Sequence, residues 1–156
     1  MERLQQIMIG NGLLVVLAAM LAGWMLIFSL VGGFEIWPGT VIPIPVWGTG
    51  EGWVRAHTGG VTNGLLLIAM GLALPKLNLS AAMQKFMAWG LLYVAWSFTF
   101  FYWVANAAGN RGLTLGDNPL GETDLISIIA FVPALPSVFL VLALLVVGAK
   151  GVLASK

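Results

Sequence analysis

The chain has 156 residues, of which 60% are hydrophobic and only 8% are charged, and its formal net charge is +1. A soluble globular domain carries about 25% charged residues, so this composition excludes an ordinary soluble domain and indicates a protein embedded in a bilayer. The near-neutral charge gives no reason to expect a nucleic-acid partner. Because cysteine is absent, disulfides, thiolate metal sites and covalent cofactor attachment through a CxxCH motif are excluded. The length predicts one domain, residues 1–156.

Four apolar runs are long enough to cross about 30 Å of hydrocarbon, which takes roughly 20 helical residues. They cover residues 7–31, 57–74, 83–104 and 125–147. The runs are continuous rather than alternating, which favours helices over the strands of a barrel. The first run is too long for the apolar region of a signal peptide and lacks an A-x-A cleavage pattern. The sequence therefore predicts an all-α membrane protein with four transmembrane helices.

Basic residues divide unevenly between the two sides of these spans. One side carries a single acid, Glu2, and five basic residues: Arg3, Lys76, Lys85, Lys150 and Lys156. The other side carries five acids and two arginines: Glu35, Glu51, Asp117, Glu122, Asp124, Arg55 and Arg111. The excess of lysine and arginine marks the first side as cytoplasmic. Both termini are therefore predicted to be cytoplasmic, with the protein in the inner membrane of a bacterium.

Two longer loops, residues 32–56 and 107–124, lie on the outer side. The first contains the stretch GGFEIWPGTVIPIPVWGTGEGW, with three tryptophans and three prolines. Tryptophan is expected at the interface of any membrane protein, but a loop this apolar could also fold over the helix ends and cap a cavity. The second, NAAGNRGLTLGDNPLGETD, is rich in glycine and polar residues. Loops held by a rigid scaffold often carry function.

Four polar residues are predicted to lie in the outer half of the membrane: His57, Asn63, Tyr102 and Asn106. Tyr102 and Asn106 are four residues apart, which places them on one helical face. Polar and ionisable groups within a span indicate a functional site by default. The alternative is that they bond one another and hold the bundle together, at about 0.6 kcal/mol each. Taken together, the four favour a site.

His57 is the only histidine, and the stretch HTGGVTNG that it begins contains Gly60 and Gly64 in GxxxG spacing. Small residues at this spacing usually contact another helix; the alternative is the close approach of a planar cofactor. Zinc sites take three or four protein ligands, and a bis-histidine haem takes two imidazoles, so one chain supplies neither. A haem with one proximal histidine and an open sixth position is compatible with this count.

Three stretches, LVGGFEIWPG, EGWVRAHTGGVTNG and FYWVANAAGNRGLTLGDNPLG, together with Asp124, resemble the styrene oxide isomerase family in order and position. The resemblance covers most of the chain. It implies a membrane-embedded enzyme that converts aryl epoxides such as styrene oxide to aldehydes such as phenylacetaldehyde by a Meinwald rearrangement. It also implies a homotrimer that holds haem b between its subunits.

The resemblance assigns roles to particular residues. The family's axial histidine falls on His57, and its site asparagine and tyrosine fall on Asn63 and Tyr102. Asn106 and the NRG at residues 110–112 also match the family pattern. The chain departs from that pattern at one position, where some relatives carry an aspartate and this sequence has a valine. That position is Val94.

Two arginines on the outer side, Arg55 and Arg111, are candidate partners for the haem propionates, and anchoring at lipid headgroups is their alternative role. The chemistry expected is Lewis-acid activation of the epoxide oxygen by ferric haem, followed by a 1,2-hydride shift. The partners expected are an aryl epoxide, membrane lipid and an upstream epoxide-forming monooxygenase. Two other functions stay open: a non-catalytic haem-binding or electron-carrying subunit of a membrane complex, and a structural membrane protein without a cofactor.

Overall fold

The computed structural model describes residues 2–154, which form four long helices and one short hairpin. The helices are α1 (Glu2–Val31), α2 (Gly50–Ala73), α3 (Ala81–Ala105) and α4 (Leu125–Leu153), and a 3-10 turn, Leu74–Lys76, extends α2. All four are long and apolar enough to cross a membrane, as predicted. Helix α2 begins seven residues before its predicted span at His57, because the turns that precede the apolar run are also helical.

Three of the helices begin at side chains that cap their first turn. The Oγ1 atom of Thr49 accepts a hydrogen bond from the backbone N–H of Gly52 at 3.1 Å at the start of α2. Ser80 caps α3, and Asp124 forms a reciprocal capping box with Ser127 at the start of α4. These bonds satisfy backbone donors that have no partner within the helix.

Helices α1 and α2 are antiparallel and pack through glycine. A Cβ atom on Gly64 would lie 2.8 Å from the carbonyl oxygen of Gly12, and one on Gly60 would lie 2.8 Å from Cβ of Ala19. A Cβ on Gly71 would lie 3.0 Å from Cβ of Met8. Only glycine allows the two backbones to approach this closely. Gly60 and Gly64 therefore form the helix–helix contact that this spacing usually indicates, whereas their predicted contact with a planar cofactor stays a prediction.

Helix α3 lies at the centre, packed against the other three, whereas α4 packs mainly against α3. The carbonyl oxygen of Pro133, inside α4, accepts hydrogen bonds from the hydroxyls of Tyr93 (2.9 Å) and Ser97 (2.6 Å) on α3. Hydrogen bonds from side chains of one helix to the other link α3 to α4. The largest core cluster, built mainly on the inner halves of the helices, includes Met8, Val15, Leu67, Leu74, Met87, Leu91 and Leu144.

The first outer loop contains a feature that the prediction of an all-α protein did not include, which is a two-stranded antiparallel hairpin. Strand β1 covers Gly33–Trp37 and strand β2 covers Thr40–Pro43. The turn between them contains Gly39 at φ +81°, and the carboxylate of Glu35 accepts a bond from its N–H at 2.7 Å. Pro-Gly between short apolar stretches is a turn signal, and the sequence prediction treats the whole segment as an irregular loop.

The chain alternates direction from helix to helix, so the start of α1 and the end of α4 lie at the same end of the bundle. Two contacts lie at this end of the bundle: that of Gly71 with Met8, and that of Gly151 with Leu79. Which side of a membrane this end faces stays a prediction. Lys156, one of the residues that supports that prediction, lies outside the described residues.

Candidate functional site

His57 lies in the seam between α1 and α2 near the outer end of the bundle. Its Nδ1 atom is 2.9 Å from the carbonyl oxygen of Ala19. Because a carbonyl can only accept, Nδ1 carries a proton, and in the neutral ring the lone pair then lies on Nε2. Within residues 2–154, Nε2 has no hydrogen-bond partner. A Cβ on Gly23 would lie 2.9 Å from Nδ1, so the ring rests directly on the α1 backbone.

Tyr102 and Asn63 lie on a different face of the site, between α2 and α3. A Cβ on Gly59 would lie 2.5 Å from Cε2 of Tyr102, so the phenol ring packs against the α2 backbone. Asn63 is one helical turn further along this face of α2, and its Nδ2 atom is buried without a hydrogen-bond partner. The neighbouring space is a cavity of about 10 Å³ that Val94 also lines. Asn63 therefore holds an unused donor one helical turn along α2 from Gly59, the residue that Tyr102 contacts.

A second cavity, of about 70 Å³, lies at the outer ends of α2 and α3. Its lining is Gly52, Arg55, Phe101, Tyr102, Ala105, Asn106, Arg111 and Leu113. Two guanidinium groups thus meet one phenol and an apolar wall. The guanidinium of Arg111 also donates to the carboxylate of Glu51 at 3.2 Å. Both partners are partly exposed, so this pair contributes at most about 1 kcal/mol to stability.

The loop after α3 is organised around Asn110, which is 0% exposed. Its Nδ2 donates to the carbonyl oxygens of Thr114 (3.0 Å) and Gly116 (2.9 Å), and its Oδ1 accepts from the N–H of Gly112 at 2.9 Å. Arg111, the next residue, has φ +60°, a left-handed conformation that is uncommon outside glycine. The buried amide network holds this backbone in place and directs Arg111 to the cavity.

Asn106 lines the cavity, but its amide is engaged in a structural contact. Its Oδ1 accepts from the backbone N–H of Thr49 at 2.9 Å, and its Nδ2 donates to the carbonyl of Thr49 at 3.4 Å. Gly48 and Gly52 pack so closely against this amide that a Cβ atom on either would overlap it. Asn106 thereby joins the end of α3 to the start of α2. Thr49 engages both the oxygen and the nitrogen of this amide, and the predicted catalytic role of Asn106 stays a prediction.

Contacts among three tryptophans hold the first outer loop against the helix ends. The ring of Trp53 is 0% exposed and lies 5.2 Å from the rings of both Trp47 and Trp103. Its indole N–H donates to the carbonyl oxygen of Trp47 at 2.9 Å. The second half of the loop therefore lies over the bundle, whereas the hairpin tip does not, since Trp37 is 73% exposed. The sequence did not distinguish these two kinds of tryptophan.

A sequence model of the family described as styrene oxide isomerase matches residues 4–153. The chain belongs to the styrene oxide isomerase family. It is also 39% identical over 127 residues to a protein named styrene-oxide isomerase from Pseudomonas fluorescens. The matched region covers 81% of this chain and 75% of that protein. The family resemblance inferred from the three sequence stretches is confirmed, and the chain is an enzyme of the isomerase class.

The residues of this styrene oxide isomerase family member fit a haem better than a metal held by protein ligands alone. Among the described residues, no group of three or more His, Cys, Asp or Glu could hold a metal ion. In a haem the macrocycle itself binds the iron, so the protein needs to supply only one axial ligand. Metal-binding histidines usually donate their other ring N–H to a carbonyl or carboxylate. His57, with Nδ1–H on Ala19 and Nε2 unpaired, has this arrangement.

Of the four residues that the sequence grouped by depth, His57, Tyr102 and Asn106 lie towards the outer ends of α2 and α3, whereas Asn63 lies near the middle of α2, and the four do not share one surface. His57 contacts α1, whereas Asn63, Tyr102 and Asn106 face the α2–α3 interface. Residues two apart on a helix point in directions about 200° apart. His57 and Gly59 therefore lie on opposite sides of α2, and Tyr102 contacts the side that carries Gly59. Sequence depth alone could not reveal this separation within one chain of the family.

Proposed function

We propose that this member of the styrene oxide isomerase family converts aryl epoxides, with styrene oxide as the type substrate, to aldehydes by Meinwald rearrangement. The family match supports the reaction class, and the unpaired Nε2 of His57 is the observation that supports haem b as the cofactor. When bound, ferric haem b would supply a Lewis acid for the epoxide oxygen. The benzylic C–O bond opens, and a 1,2-hydride shift then gives the aldehyde without net oxidation or reduction.

His57 has one task in this proposal, which is to hold iron through Nε2 in a fixed orientation. The carbonyl of Ala19 sets the tautomer, and Gly23 provides the flat surface on which the ring lies. Such outer partners increase the basicity of a histidine ligand and fix its plane. Because the sequence has one histidine, no second imidazole of the same chain would compete with substrate for a bound iron.

Tyr102 and Asn63 supply hydrogen-bond donors to the substrate oxygen. The phenol borders the outer cavity, and Nδ2 of Asn63 is a buried donor that no described residue satisfies. Donors fixed in advance stabilise an oxygen as it gains negative charge. Since His57 lies on another face of α2, these donors would serve a substrate at a haem that the histidine of a neighbouring copy would hold. This separation is compatible with haem held between subunits, and the family resemblance supplies the number, a homotrimer.

Exclusion of water is the other task of the protein, because water would trap the benzylic cation as a diol. The rings of Phe98 and Phe101 lie 6.3 Å and 5.6 Å from that of Tyr102, and the loop that carries Trp47 covers the helix ends. Aromatic faces stabilise a nearby positive charge, and an apolar, closed site disfavours hydrolysis. These rings therefore accommodate the aryl group of the substrate.

Arg55 and Arg111 are proposed to pair with the haem propionates, since both border the outer cavity. The remaining proposals concern setting: cytoplasmic termini, a bacterial inner membrane, and an epoxide-forming monooxygenase upstream that supplies the substrate. An epoxide made from an aryl alkene partitions into lipid, which suits an enzyme whose site lies among membrane-spanning helices.

The test is to purify the protein, record its visible spectrum, and assay conversion of styrene oxide to phenylacetaldehyde without a reductant. We expect a Soret band and product from the wild type, and loss of both from His57→Ala. Free imidazole should restore haem binding to this variant, which separates loss of the ligand from misfolding. Haem without product would favour the electron-carrying subunit. Product at full rate without haem would overturn the cofactor assignment.

A further inference from the structure

The hairpin formed by β1 and β2 presents two different faces. Phe34 pairs with Ile42 across the strands, and the next pair is Glu35 with Val41. Because successive side chains of a strand point to opposite faces, Phe34 and Ile42 share one face, and Glu35 and Val41 share the other. All four residues are exposed, with Phe34 at 39% and Ile42 at 47%. One face is therefore apolar and largely uncovered, whereas the other carries a charge.

The apolar face is held beside the last two turns of α1. The ring of Phe34 lies 5.8 Å from the ring of Trp24 and 6.3 Å from that of Phe28, edge-on to both. Gly32, at φ +79°, lets the chain reverse direction directly after α1 ends at Val31. The base of the hairpin is therefore at the level of the outer end of a helix that is long and apolar enough to cross a membrane.

The side of α1 that the hairpin contacts faces away from the proposed haem site. Trp24 points about 140° away from Ala19 around the helix axis, and the carbonyl oxygen of Ala19 is the partner of His57. Trp24 instead continues a stripe that Leu17 and Leu21 begin, at helical spacings of four and three residues. These two leucines are 55% and 48% exposed. An exposed apolar stripe along a membrane-spanning helix faces lipid, and the apolar face of the hairpin extends this stripe.

We propose that the hairpin is a lipid anchor, whose apolar face inserts at the boundary between headgroups and acyl chains in the leaflet nearest to the proposed active site. Phe34 and Ile42 then contact acyl chains, and Glu35 and Val41 face headgroups and water. Trp37, beside the turn, is of the residue type that is enriched at this depth. The proposal rests on the four helices crossing a bilayer and is independent of haem and of the epoxide reaction.

The experiment uses the absence of cysteine from the sequence, because one introduced cysteine is then the only site for a thiol-specific spin label. Ile42→Cys and Val41→Cys are a matched pair, adjacent and exposed on opposite faces of β2. Leu17→Cys is the reference for the lipid-facing side of α1. Each labelled protein is reconstituted into phosphatidylcholine vesicles. Power saturation then measures collisions of the label with oxygen, which concentrates in lipid, and with a water-soluble nickel chelate.

We expect the label at Ile42→Cys to lose nickel collisions relative to the label at Val41→Cys and to approach the oxygen-to-nickel ratio of Leu17→Cys. Low ratios at both hairpin positions, with a high ratio at Leu17→Cys, would overturn the insertion and leave the membrane setting intact. Equal, high ratios at both would overturn the two-faced arrangement. Shielding of the Ile42→Cys label from both reagents would show that protein, such as a second copy, covers the face. A low ratio at Leu17→Cys as well would overturn the membrane setting together with the anchor.

One further variant tests the contact that orients the hairpin. Phe34→Ala, in the Ile42→Cys background, should raise nickel collisions at the label, because the ring that holds the apolar face beside Trp24 and Phe28 is lost. Phe139→Ala is the matched control, since Phe139 is a 67% exposed phenylalanine on α4. An equal change in both variants would contradict the role of Phe34. If Phe34→Ala fails to fold, the comparison of Ile42→Cys with Val41→Cys still decides.

Discussion

Gly23→Ala should release haem without removing a ligand. The new Cβ would lie 2.9 Å from Nδ1 and 3.2 Å from Cε1 of His57. Non-bonded heavy atoms prefer separations of about 3.5–4.0 Å, so the ring must move by roughly 0.5 Å. The ring cannot move this far from α1 and keep its 2.9 Å bond to Ala19. Loss of such an outer partner typically costs about 10–100-fold in metal affinity.

The assay follows transfer of haem from the purified protein to excess apomyoglobin, and we expect a dissociation rate raised by about 10–100-fold. Gly10→Ala is the matched control, because it lies on the same helix and its Cβ would meet nothing within 4 Å. Both variants gain the same helix propensity, about 1 kcal/mol relative to glycine, so the difference between them isolates the contact with His57. Equal haem retention in the two variants would refute the placement of the ligand.

Three further outcomes are expected. Tyr102→Phe should keep haem and lower turnover at saturating epoxide by less than the 10²–10³-fold typical of a lost oxyanion donor, because iron takes most of the charge; unchanged turnover would remove Tyr102 from the reaction. Anaerobic reduction with dithionite should lower activity, because ferrous iron carries one positive charge less; equal or higher activity, with the Soret band followed in parallel, would argue against a Lewis acid. Hydrogen bonds from the hydroxyl and N–H of Ser127, and from Gly109, lower the pKa of Asp124. The Asp124 carboxylate therefore stabilises the folded state fully above the ordinary carboxyl pKa, and this contribution is lost as pH falls through the lowered pKa of the folded state. In Asp124→Asn, the melting temperature should depend less on pH across this acidic range.

The helices were predictable because a continuous apolar segment in a bilayer must satisfy its backbone hydrogen bonds internally, and a helix does so. The hairpin Gly33–Trp37 with Thr40–Pro43 was not found, since it lies in a segment read as a loop and only the Pro-Gly turn marks it. A search for turn signals inside apolar loops would have found it. Hydropathy indicates which segments can lie within a bilayer, but it does not indicate where the backbone turns.

The candidate site was predictable in its residue types and not in its geometry. His57 could be identified because it is the only imidazole, but the carbonyl that fixes its tautomer belongs to Ala19, whose side chain gives no signal. Asn106 and Asn63 carry the same amide group, yet the amide of Asn106 is hydrogen-bonded to Thr49, whereas Nδ2 of Asn63 has no hydrogen-bond partner among the described residues. Such differences depend on contacts between distant segments, which spacing along one helix cannot express.

The one-sided packing of α4 has a consequence for how its sequence can vary. Its buried residues form a single stripe: Ser127, Ala130, Ala134, Ser137, Leu144, Gly148 and Gly151. Most of them are small, so a saturation scan of this helix should penalise bulk along that stripe and penalise only charge elsewhere. Any second stripe of intolerance would mark a surface that α3 does not cover. Sequence tolerance would then map, without a further structure, the face on which another subunit rests.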